Sequence, residues 1–369
     1  MIADIKIRNI LYPLSLLYEI GVEFRNKLFD WNILPAEEFS VPVISIGNLA
    51  VGGTGKTPHT EYLVRLLAKK YKISVLSRGY RRKTKGFVLA GENVSAQSLG
   101  DEPFQIYRKF PEIIVAVDGN RRRGIQNLLK LPENKRPEII LLDDAFQHRY
   151  VTPSLSILLT ESNCLFYDDK LLPVGRLREP AKNSSRADIV ICTKCPESFK
   201  PIDYRIILKN MDLDPHQQLY FTSYLYKSLL SVFPENTFVK KESIERLKKE
   251  SYSFLLIAGI SRPQELIKQL GNYTSDLQTL IYPDHYNFKA KDIAEIAEIF
   301  TGIKNNNKMI ITSEKDAVRL MSNAFVPEEI KAFIYCLPIE VAFREEQESL
   351  FIQKIENHVS NFKRNRILA

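Results

Sequence analysis

Apolar runs of strand length recur along the chain and alternate with stretches of helical spacing. The clearest runs cover residues 41–46, 138–142, 188–192, 254–258 and 309–312. Residues 62–71 and 290–300 instead carry apolar side chains at helical spacing,. Strands that alternate with helices in this way are typical of α/β folds. The pattern therefore predicts an α/β protein with a substantial core.

The first forty residues follow a different pattern. Apolar residues recur there at near-helical spacing between basic ends, namely Ile7, Ile10, Leu11, Leu14, Leu17 and Val22 between Lys6, Arg8, Arg25 and Lys27. The longest stretch without a charge, residues 9–18, is about half as long as a membrane-spanning helix,. A helix that lies on a membrane surface and a helix that packs on its own domain both fit this pattern. We expect the segment to be retained, because no small-residue cleavage site follows it.

Composition narrows the classes of protein and partner. With 44% hydrophobic and 26% charged residues, the chain has a globular composition that excludes a disordered or collagen-like protein,. The formal net charge of +8 favours anionic partners, such as nucleotides, nucleic acid, phospholipid headgroups or phosphorylated substrates,. Its 4 cysteines are too few for a secreted disulfide framework,. Cys192 and Cys195 form a C-x-x-C pair without a second ligand pair, so we expect two small residues at a strand end,.

A glycine-rich loop follows the first strand-like run and precedes a helical stretch. The residues that this pattern assigns to nucleotide phosphates are Gly52, Gly53, Thr54, Gly55, Lys56 and Thr57,. In such a loop the backbone N–H groups face phosphate oxygens, Lys56 reaches the β- and γ-phosphates, and Thr57 can ligate Mg²⁺. Ala50 stands where the strict pattern has glycine, and the two glycines that follow it supply the flexibility. The loop predicts a nucleotide-phosphate site.

Two adjacent acids end the apolar run at residues 138–142. Asp143 and Asp144 suit the metal-orienting position that a P-loop needs on a neighbouring strand,. Neighbouring side chains on a strand end point to opposite sides, so one acid holds Mg²⁺ and the other orients loops or a second metal. The sequence leaves open which acid does which. His148, four residues beyond Asp144, lies within reach of the same crevice,.

Basic clusters at residues 78–85 and 120–124 follow strand-like segments on the same side as the P-loop. Either they bind anions or they form a solvated face. Asp101 lies between them in the sequence Gly-Asp-Glu-Pro, where a helix-capping role is the simpler explanation,. We expect no nucleic-acid partner, because no known binding module is present and aromatic residues are not interleaved with the basic runs.

Taken together, these motifs resemble the tetraacyldisaccharide 4'-kinase family, the lipid A 4'-kinases of Gram-negative bacteria. The resemblance runs from the N-terminal segment to about Leu320, and it rests on the ordered series VISIGNLAVGGTGKTP, LSRGYRR, GDEP, LLDDAFQH, LLPVGRLREP, AGISRP, YPDHYNF and TSEKDAVRL. It implies ATP-dependent phosphorylation of the 4'-hydroxyl of a tetraacylated disaccharide 1-phosphate, a lipid A precursor. It also implies ATP and Mg²⁺ as cofactors. The implied location is peripheral, on the cytoplasmic face of the inner membrane.

The resemblance further implies roles for individual residues. Asp101 matches the family's catalytic base and His285 the histidine that supports it. A free Asp is a weak base at neutral pH, so we expect His285 to orient it and share the incoming proton. The implied metal and nucleotide residues are Lys56, Thr57, Asp143 and Asp144, with Lys56 also catalytic. The implied substrate residues are Arg78, Glu102, Arg121, Gln147 and His148.

These features predict a P-loop NTPase-like sheet domain, a second, smaller α/β domain and an N-terminal amphipathic helix. The predicted boundaries are 1–39 for the membrane-associating segment, 40–218 for the kinase domain, 219–250 for a linker and 251–369 for the smaller domain. ATP in one domain and His285 in the other lead us to expect that domain closure assembles the site. The alternative function is another P-loop enzyme that acts on a soluble small molecule.

Overall fold

The computed structural model describes the backbone of residues 2–367 and the side chains of residues 11–364. Its helices are α1 (Ile2–Asp30), α2 (Lys56–Leu67), α3 (Ala96–Leu99), α4 (Asp101–Lys109), α5 (Arg121–Leu129), α6 (Pro201–Met211), α7 (Ile244–Lys249), α8 (Gln264–Gly271), α9 (Ala290–Gly302), α10 (Glu314–Met321), α11 (Glu328–Lys331) and α12 (Glu348–Ile367). Its strands are β1 (Val43–Asn48), β2 (Ile73–Ser77), β3 (Val88–Leu89), β4 (Ile114–Val117), β5 (Ile139–Asp143), β6 (Leu155–Glu161), β7 (Ile189–Thr193), β8 (Gln218–Tyr226), β9 (Leu229–Ser231), β10 (Lys241–Glu242), β11 (Ser253–Ala258), β12 (Leu277–Ile281), β13 (Lys308–Ser313), β14 (Ile334–Leu337) and β15 (Ile339–Phe343).

The larger sheet has nine strands in the order β15-β8-β7-β6-β1-β5-β2-β4-β3. The seven neighbouring strands from β8 to β4 in this list, which include β1 and β2, all pair in parallel. The edge strands β3 and β15 pair antiparallel with their neighbours. β1 lies at the centre, between β5 and β6, and the chain leaves it toward β2 before it later crosses to β6. Ligands of such sheets bind beyond the carboxyl ends of strands at this kind of reversal. The topology therefore places the P-loop, which follows β1, at that point.

Helices cover both faces of this sheet. On one face, α2 and α12 pack on alternate residues of the central strands, including Ile44 and Ile46,. On the other face, α5 packs beside Val43 and Leu142, and α6 packs on the strand residues Leu158 and Val190. The central strands read as continuous apolar runs because both of their faces are buried.

A smaller six-stranded sheet has the order β10-β9-β14-β13-β11-β12. Its strands β11 to β14 are parallel, while β9 and β10 pair antiparallel at one edge. Helix α9 packs on one face through Ile293, Ile296 and Phe300, and α8 packs on the other through Leu266 and Leu270. The fold class predicted from the sequence, two α/β sheets of unequal size, is therefore confirmed.

The division along the chain differs from the predicted boundaries. Residues 219–250 were predicted as a linker, but β8 continues the larger sheet in parallel with β7. Residues 339–367 were assigned to the smaller domain, but β15 pairs with β8, and Phe351 and Ile355 of α12 are buried in the larger core. Burial of these apolar side chains against the larger sheet explains why the chain crosses back to the larger domain after β14.

Helix α1 packs on the larger domain along one face only. The Ser15 hydroxyl donates to the Leu171 carbonyl at 3.0 Å, and Phe29, 5% exposed, meets the Tyr150 ring edge to face. Along the described side chains the opposite face is open, with Leu17 66% and Phe24 59% exposed. The side chains of residues 1–10, Lys6 and Arg8 among them, lie outside the described residues.

Candidate active site

A crevice lies between the carboxyl ends of the two sheets. It has a volume of about 630 Å³, and both sheets line it. The larger sheet contributes the P-loop and the turn after β5, and the smaller sheet contributes the loop after β11 and the start of α10. Lining residues from the two sides include Lys56, Thr57, Asp143, Asp144, Arg178, Ser261, His285 and Lys315. The crevice brings together most of the residues that the sequence assigns to metal, nucleotide and base.

The P-loop has the backbone that its glycines predict. Gly52 and Gly55 have φ of 112° and 91°, a region that L side chains rarely adopt,. Helix α2 begins at Lys56, directly after Gly55, so its free N–H groups and the positive end of its dipole face the crevice,. Thr193, at the end of β7, donates to the Thr54 carbonyl at 2.9 Å and fixes the loop to the sheet.

Cations surround Asp144. Lys56 Nζ lies 3.7 Å from its Oδ1 and Arg178 Nη2 lies 3.0 Å from the same oxygen. Burial raises the pKa of Asp144, but Lys56 and Arg178 outweigh burial and hold that pKa at about 2,. Asp144 also has a left-handed backbone, with φ of 49°. This carboxylate is therefore charged at neutral pH.

Asp143 has the opposite electrostatic setting. Its side chain is 5% exposed and accepts hydrogen bonds at 3.3 Å from the hydroxyls of Thr60 and Ser77. Burial, together with the charge of Asp144, raises its pKa to about 6. A nearby cation stabilises the charged form of a buried carboxylate, and carboxylate oxygens are ligands that suit Mg²⁺. The residues present fit that metal.

A second charged pair joins the two sheets. Asp101 begins α4 of the larger domain, and its Oδ2 lies 3.0 Å from Nδ1 of His285 in the smaller domain. Arg319 of α10 donates to the same Oδ2 through Nη2 at 2.5 Å and Nε at 3.1 Å. Burial raises the pKa of Asp101, but the hydrogen bonds from His285 and Arg319 bring it down to about 2. The N-cap residue of α4 is Gly100, so the side chain of Asp101 does not cap the helix.

The predicted substrate residues fall into two groups. Arg78 and Glu102 line the crevice. Arg121, Gln147 and His148 lie outside its lining. The Arg121 guanidinium is 2% exposed and donates to the carbonyls of Asp118 and Asp143, at 2.8 and 3.2 Å. Arg121 thus supports the backbone of the acid pair, and its contact with substrate stays a prediction.

Gln147 and His148 lie in the turn after β5, where Gln147 contacts β1 and α1. Gln147 Nε2 donates to the Asn48 carbonyl at 2.8 Å, and its own carbonyl accepts from Arg25 of α1 at 3.2 Å. Burial, followed by the charges of Arg121 and Arg25, lowers the pKa of His148 to about 4. A neutral His148 is therefore present at neutral pH. For these two residues as well, substrate contact stays a prediction.

Several residues of the site were not assigned roles from the sequence. Asn48 donates to Thr54 at 2.7 Å and accepts from Lys56 at 3.3 Å, so it ties the end of β1 to the P-loop. Arg178, Lys315 and Arg319 lie in the motifs LLPVGRLREP and TSEKDAVRL, which mark positions but carry no chemical signature. Their roles depend on which distant segments meet.

Cys192 and Cys195 lie at the end of β7, as predicted. Both are buried, and their sulfurs are 3.9 Å apart. Among the described residues, no group of three or more His, Cys, Asp or Glu side chains is arranged to hold a metal. Both cysteines belong to the buried apolar cluster in which α6 packs on the larger sheet.

Comparison with known proteins shows the family of this chain. The family described as tetraacyldisaccharide-1-P 4'-kinase, LpxK, matches residues 7–359. The chain belongs to this family. Curated LpxK relatives named tetraacyldisaccharide 4'-kinase include one from Bacteroides fragilis, 51% identical over 98% of this chain and 96% of the relative. Another, from Parabacteroides distasonis, is 48% identical over 98% of this chain and 97% of the relative.

A solved LpxK shares the fold. The crystal structure of the "apo" form of LpxK from Aquifex aeolicus in complex with ATP superposes with a TM-score of 0.72. It is 29% identical, over 96% of this chain and 99% of that one. The resemblance that the motifs indicated is therefore confirmed along nearly the whole LpxK chain. Among the described helices, none is both apolar enough and long enough to cross a bilayer.

Proposed function

We propose that this protein transfers the γ-phosphate of ATP to the 4'-hydroxyl of a tetraacyldisaccharide 1-phosphate in lipid A biosynthesis. Membership of the LpxK family supports this reaction over that of a kinase for soluble small molecules. The structural observation that carries the proposal is one crevice lined by the P-loop, the acid pair and His285, whose Nδ1 lies 3.0 Å from Oδ2 of Asp101. Phosphoryl transfer needs these parts, which position phosphates and accept one proton.

ATP is the phosphoryl donor in this proposal. The N–H groups at the start of α2 and Lys56 bind its phosphates, and Arg178 adds positive charge beside Asp144,. We propose that Thr57 and the acid pair Asp143–Asp144 hold Mg²⁺,. When bound, Mg²⁺ neutralises charge on the phosphate oxygens.

Asp101 is the base in this proposal. The carboxylate accepts the proton of the 4'-hydroxyl while the hydroxyl oxygen attacks the γ-phosphorus and the bond to ADP breaks. A pKa of about 2 makes Asp101 a weak base in the resting state, and it is fully ionised at neutral pH. Its contribution is therefore orientation and a ready acceptor, on a side chain that is only 17% exposed.

We further propose a peripheral membrane location, on the cytoplasmic face of the bacterial inner membrane. Leu17, Ile20 and Phe24 lie on one side of α1, opposite Ser15 and Asn26, which face the larger domain,. This apolar face, together with the net charge of +8, suits reversible binding to an anionic bilayer,. A kinase whose substrate carries four acyl chains needs such contact.

The test is transfer of labelled γ-phosphate from Mg·ATP to a tetraacyldisaccharide 1-phosphate in detergent micelles. We expect the wild type to form the 4'-phosphorylated lipid and Asp101→Ala to lose at least about 10²-fold in turnover. The matched control is Asp214→Asn, an exposed acid shortly before the amino end of β8, which keeps full turnover. ATP binding without lipid product in the wild type would favour the soluble-substrate enzyme.

A further inference from the structure

Two neighbouring carbonyls of the P-loop accept hydrogen bonds from side chains outside the loop. The Thr54 carbonyl accepts from the Thr193 hydroxyl at 2.9 Å. The Gly55 carbonyl lies 2.8 Å from Nδ1 of His59, one turn further along α2. The backbone N–H of His59 also donates to this carbonyl, at the longer distance of 3.3 Å. The imidazole is therefore the nearer donor to Gly55.

The His59 ring is buried between α2 and β8. Its residue is only 3% exposed, and Nε2 lies 3.0 Å from the hydroxyl of Thr222 on β8. A carbonyl oxygen only accepts hydrogen bonds, so Nδ1, which faces Gly55, carries a hydrogen. The Thr222 hydroxyl satisfies Nε2. With both nitrogens partnered, the ring is held in one orientation between the P-loop and the sheet.

Strand β8 supports the loop through a second residue. Thr222 and Tyr224 are two residues apart on β8, so they lie on the same face of the strand,. A Cβ atom at Gly55 would collide with the Tyr224 hydroxyl, and Gly55 has the left-handed φ of 91°. The segment that the sequence predicted as a linker thus packs directly beneath the P-loop.

The contact from His59 sets the direction of one peptide group. In a trans peptide the C=O and N–H point to opposite sides. Because the imidazole holds the Gly55 carbonyl, the N–H of Lys56 in the same peptide points the other way. The Thr193 contact does the same for the N–H of Gly55. Within residues 11–364 neither N–H has an acceptor, so both are available to phosphate oxygens,.

We infer that His59 is a positioning residue for the nucleotide, in that its Nδ1–H fixes the Gly55–Lys56 peptide so that its N–H donates to a phosphate oxygen. The inference rests on ATP as the donor in the function proposed above. His59 does not line the crevice, so it acts through Gly55 and makes no contact with the nucleotide. Donors that are already fixed lose little freedom when a ligand binds. Loss of the contact should therefore weaken ATP binding.

The first experiment compares three substitutions of His59 in the full-length protein, with calorimetric titration of Mg·ATP. Asparagine places its amide nitrogen where Nδ1 lies, whereas glutamine places it where Nε2 lies and leucine has no donor. We expect His59→Leu and His59→Gln to raise the Kd about 5-fold or more, and His59→Asn to stay within about 2-fold of the wild type.

The matched control is His358→Leu, at a half-buried histidine of α12 whose Nε2 contacts Ser154, and it should bind Mg·ATP as the wild type does. Wild-type affinity in His59→Leu, or equal affinity in the Asn and Gln variants, would overturn the inference. The comparison of Asn with Gln decides the question even where the Leu variant does not fold.

The second experiment separates KM from kcat in the micelle assay. The phosphate contact exists before and during transfer, so His59→Gln should raise the KM for ATP about 5-fold while kcat stays within about 3-fold. A lower melting temperature with unchanged KM and Kd for ATP would make His59 a core residue alone and overturn its positioning role. A wild type that forms no lipid product, while the variants bind Mg·ATP in the expected order, would instead overturn the proposed function.

Discussion

The site contains two acidic centres that are built in different ways. Asp143 and Asp144 come from the end of one strand, β5, and need only the larger sheet. Asp101 and His285 come from different sheets and lie 184 residues apart in the chain. The first centre exists as soon as the larger domain folds. The second exists only when the smaller domain is in place, so the position of that domain controls whether a base is available.

Two further contacts hold the smaller domain in place. Lys109 of α4 bridges Glu61 of α2 and Glu314 of α10, at 2.6 and 2.5 Å. Arg262, after β11, pairs with the buried Glu161 at the end of β6. The second centre therefore depends on ion pairs away from the reacting groups. Loss of these contacts should impair the base and spare the binding of nucleotide.

The largest contrast is expected from Asp101→Asn and Lys56→Met. Asp101→Asn removes the proton acceptor, so kcat should fall by about 10²- to 10⁴-fold while the Kd for ATP stays the same. Lys56→Met removes a cation from the P-loop, so both ATP affinity and kcat should fall. Equilibrium binding of a fluorescent ATP analogue and the micelle assay measure the two quantities. Equal loss of ATP affinity in both variants would contradict the separation of the two centres.

Lys109→Met tests the connection between the sheets. It removes the ammonium between Glu61 and Glu314 and leaves Arg65, 3.6 Å from Glu61, as the remaining cation, which should cost on the order of 3 kcal/mol of unfolding free energy,. Burial, and then the charge of Glu314, already raises the pKa of Glu61 to about 7, so the folded state disfavours its charge. The loss should therefore be larger at pH 8, where Glu61 is ionised, than at pH 6.

Urea unfolding at the two pH values measures the effect of Lys109→Met. The control is Lys70→Met, which removes an exposed ion pair with Glu356 and should change stability by less than about 1 kcal/mol,. A Lys109→Met variant as stable as this control would show that the bridge does not hold the domains together.

Asp143→Asn and Asp144→Asn should change stability with opposite signs in protein free of nucleotide and Mg²⁺. The raised pKa of Asp143 means that stability falls as pH rises from about 4 to about 6, so at pH 8 Asp143→Asn should add roughly 1 to 3 kcal/mol,. The lowered pKa of Asp144 means that its charge stabilises the fold above about pH 4, so Asp144→Asn should destabilise. Thermal unfolding at pH 8 measures both changes. Two shifts of the same sign would contradict the assigned electrostatics.

The smallest effect is expected from the open face of α1. Leu17→Glu together with Phe24→Glu should weaken binding to vesicles of anionic phospholipid by about 10-fold or more, since each substitution replaces an apolar contact by a charge. Turnover on lipid dispersed in detergent should stay within about 2-fold, because these side chains point away from the domain. Leu350→Glu, at an equally exposed position on α12, is the matched control. Unchanged vesicle binding would leave α1 as a packing helix alone.

Sequence patterns predicted the parts that depend on local chemistry. The P-loop and the acid pair were identified because strand, loop and helix follow one another within a few residues, and β1, α2 and β5 form where the pattern places them. The N-terminal helix was also predicted. One of its faces packs on the domain and the other is open, and its contact with a membrane stays a prediction.

The remaining features depend on contacts between distant segments. The pairing of β15 with β8 could not be read from the sequence, because an edge strand of five residues carries no sign of its partner,. Arg319 and Lys315 have ordinary surface spacing on α10, and only the approach of that helix to α4 brings them to Asp101 and Glu102. The family resemblance assigned Arg121 to the substrate, and the fold buries its side chain beside the acid pair, a burial that the basic run around it did not indicate.

A double-mutant cycle on Asp101 and His285 tests the central claim most directly. The claim is that these two residues, from different sheets, form one unit that exists only when the sheets meet. The account predicts that Asp101→Asn with His285→Gln loses no more kcat than Asp101→Asn alone, at unchanged ATP affinity. Losses that multiply, as for independent residues, would contradict it.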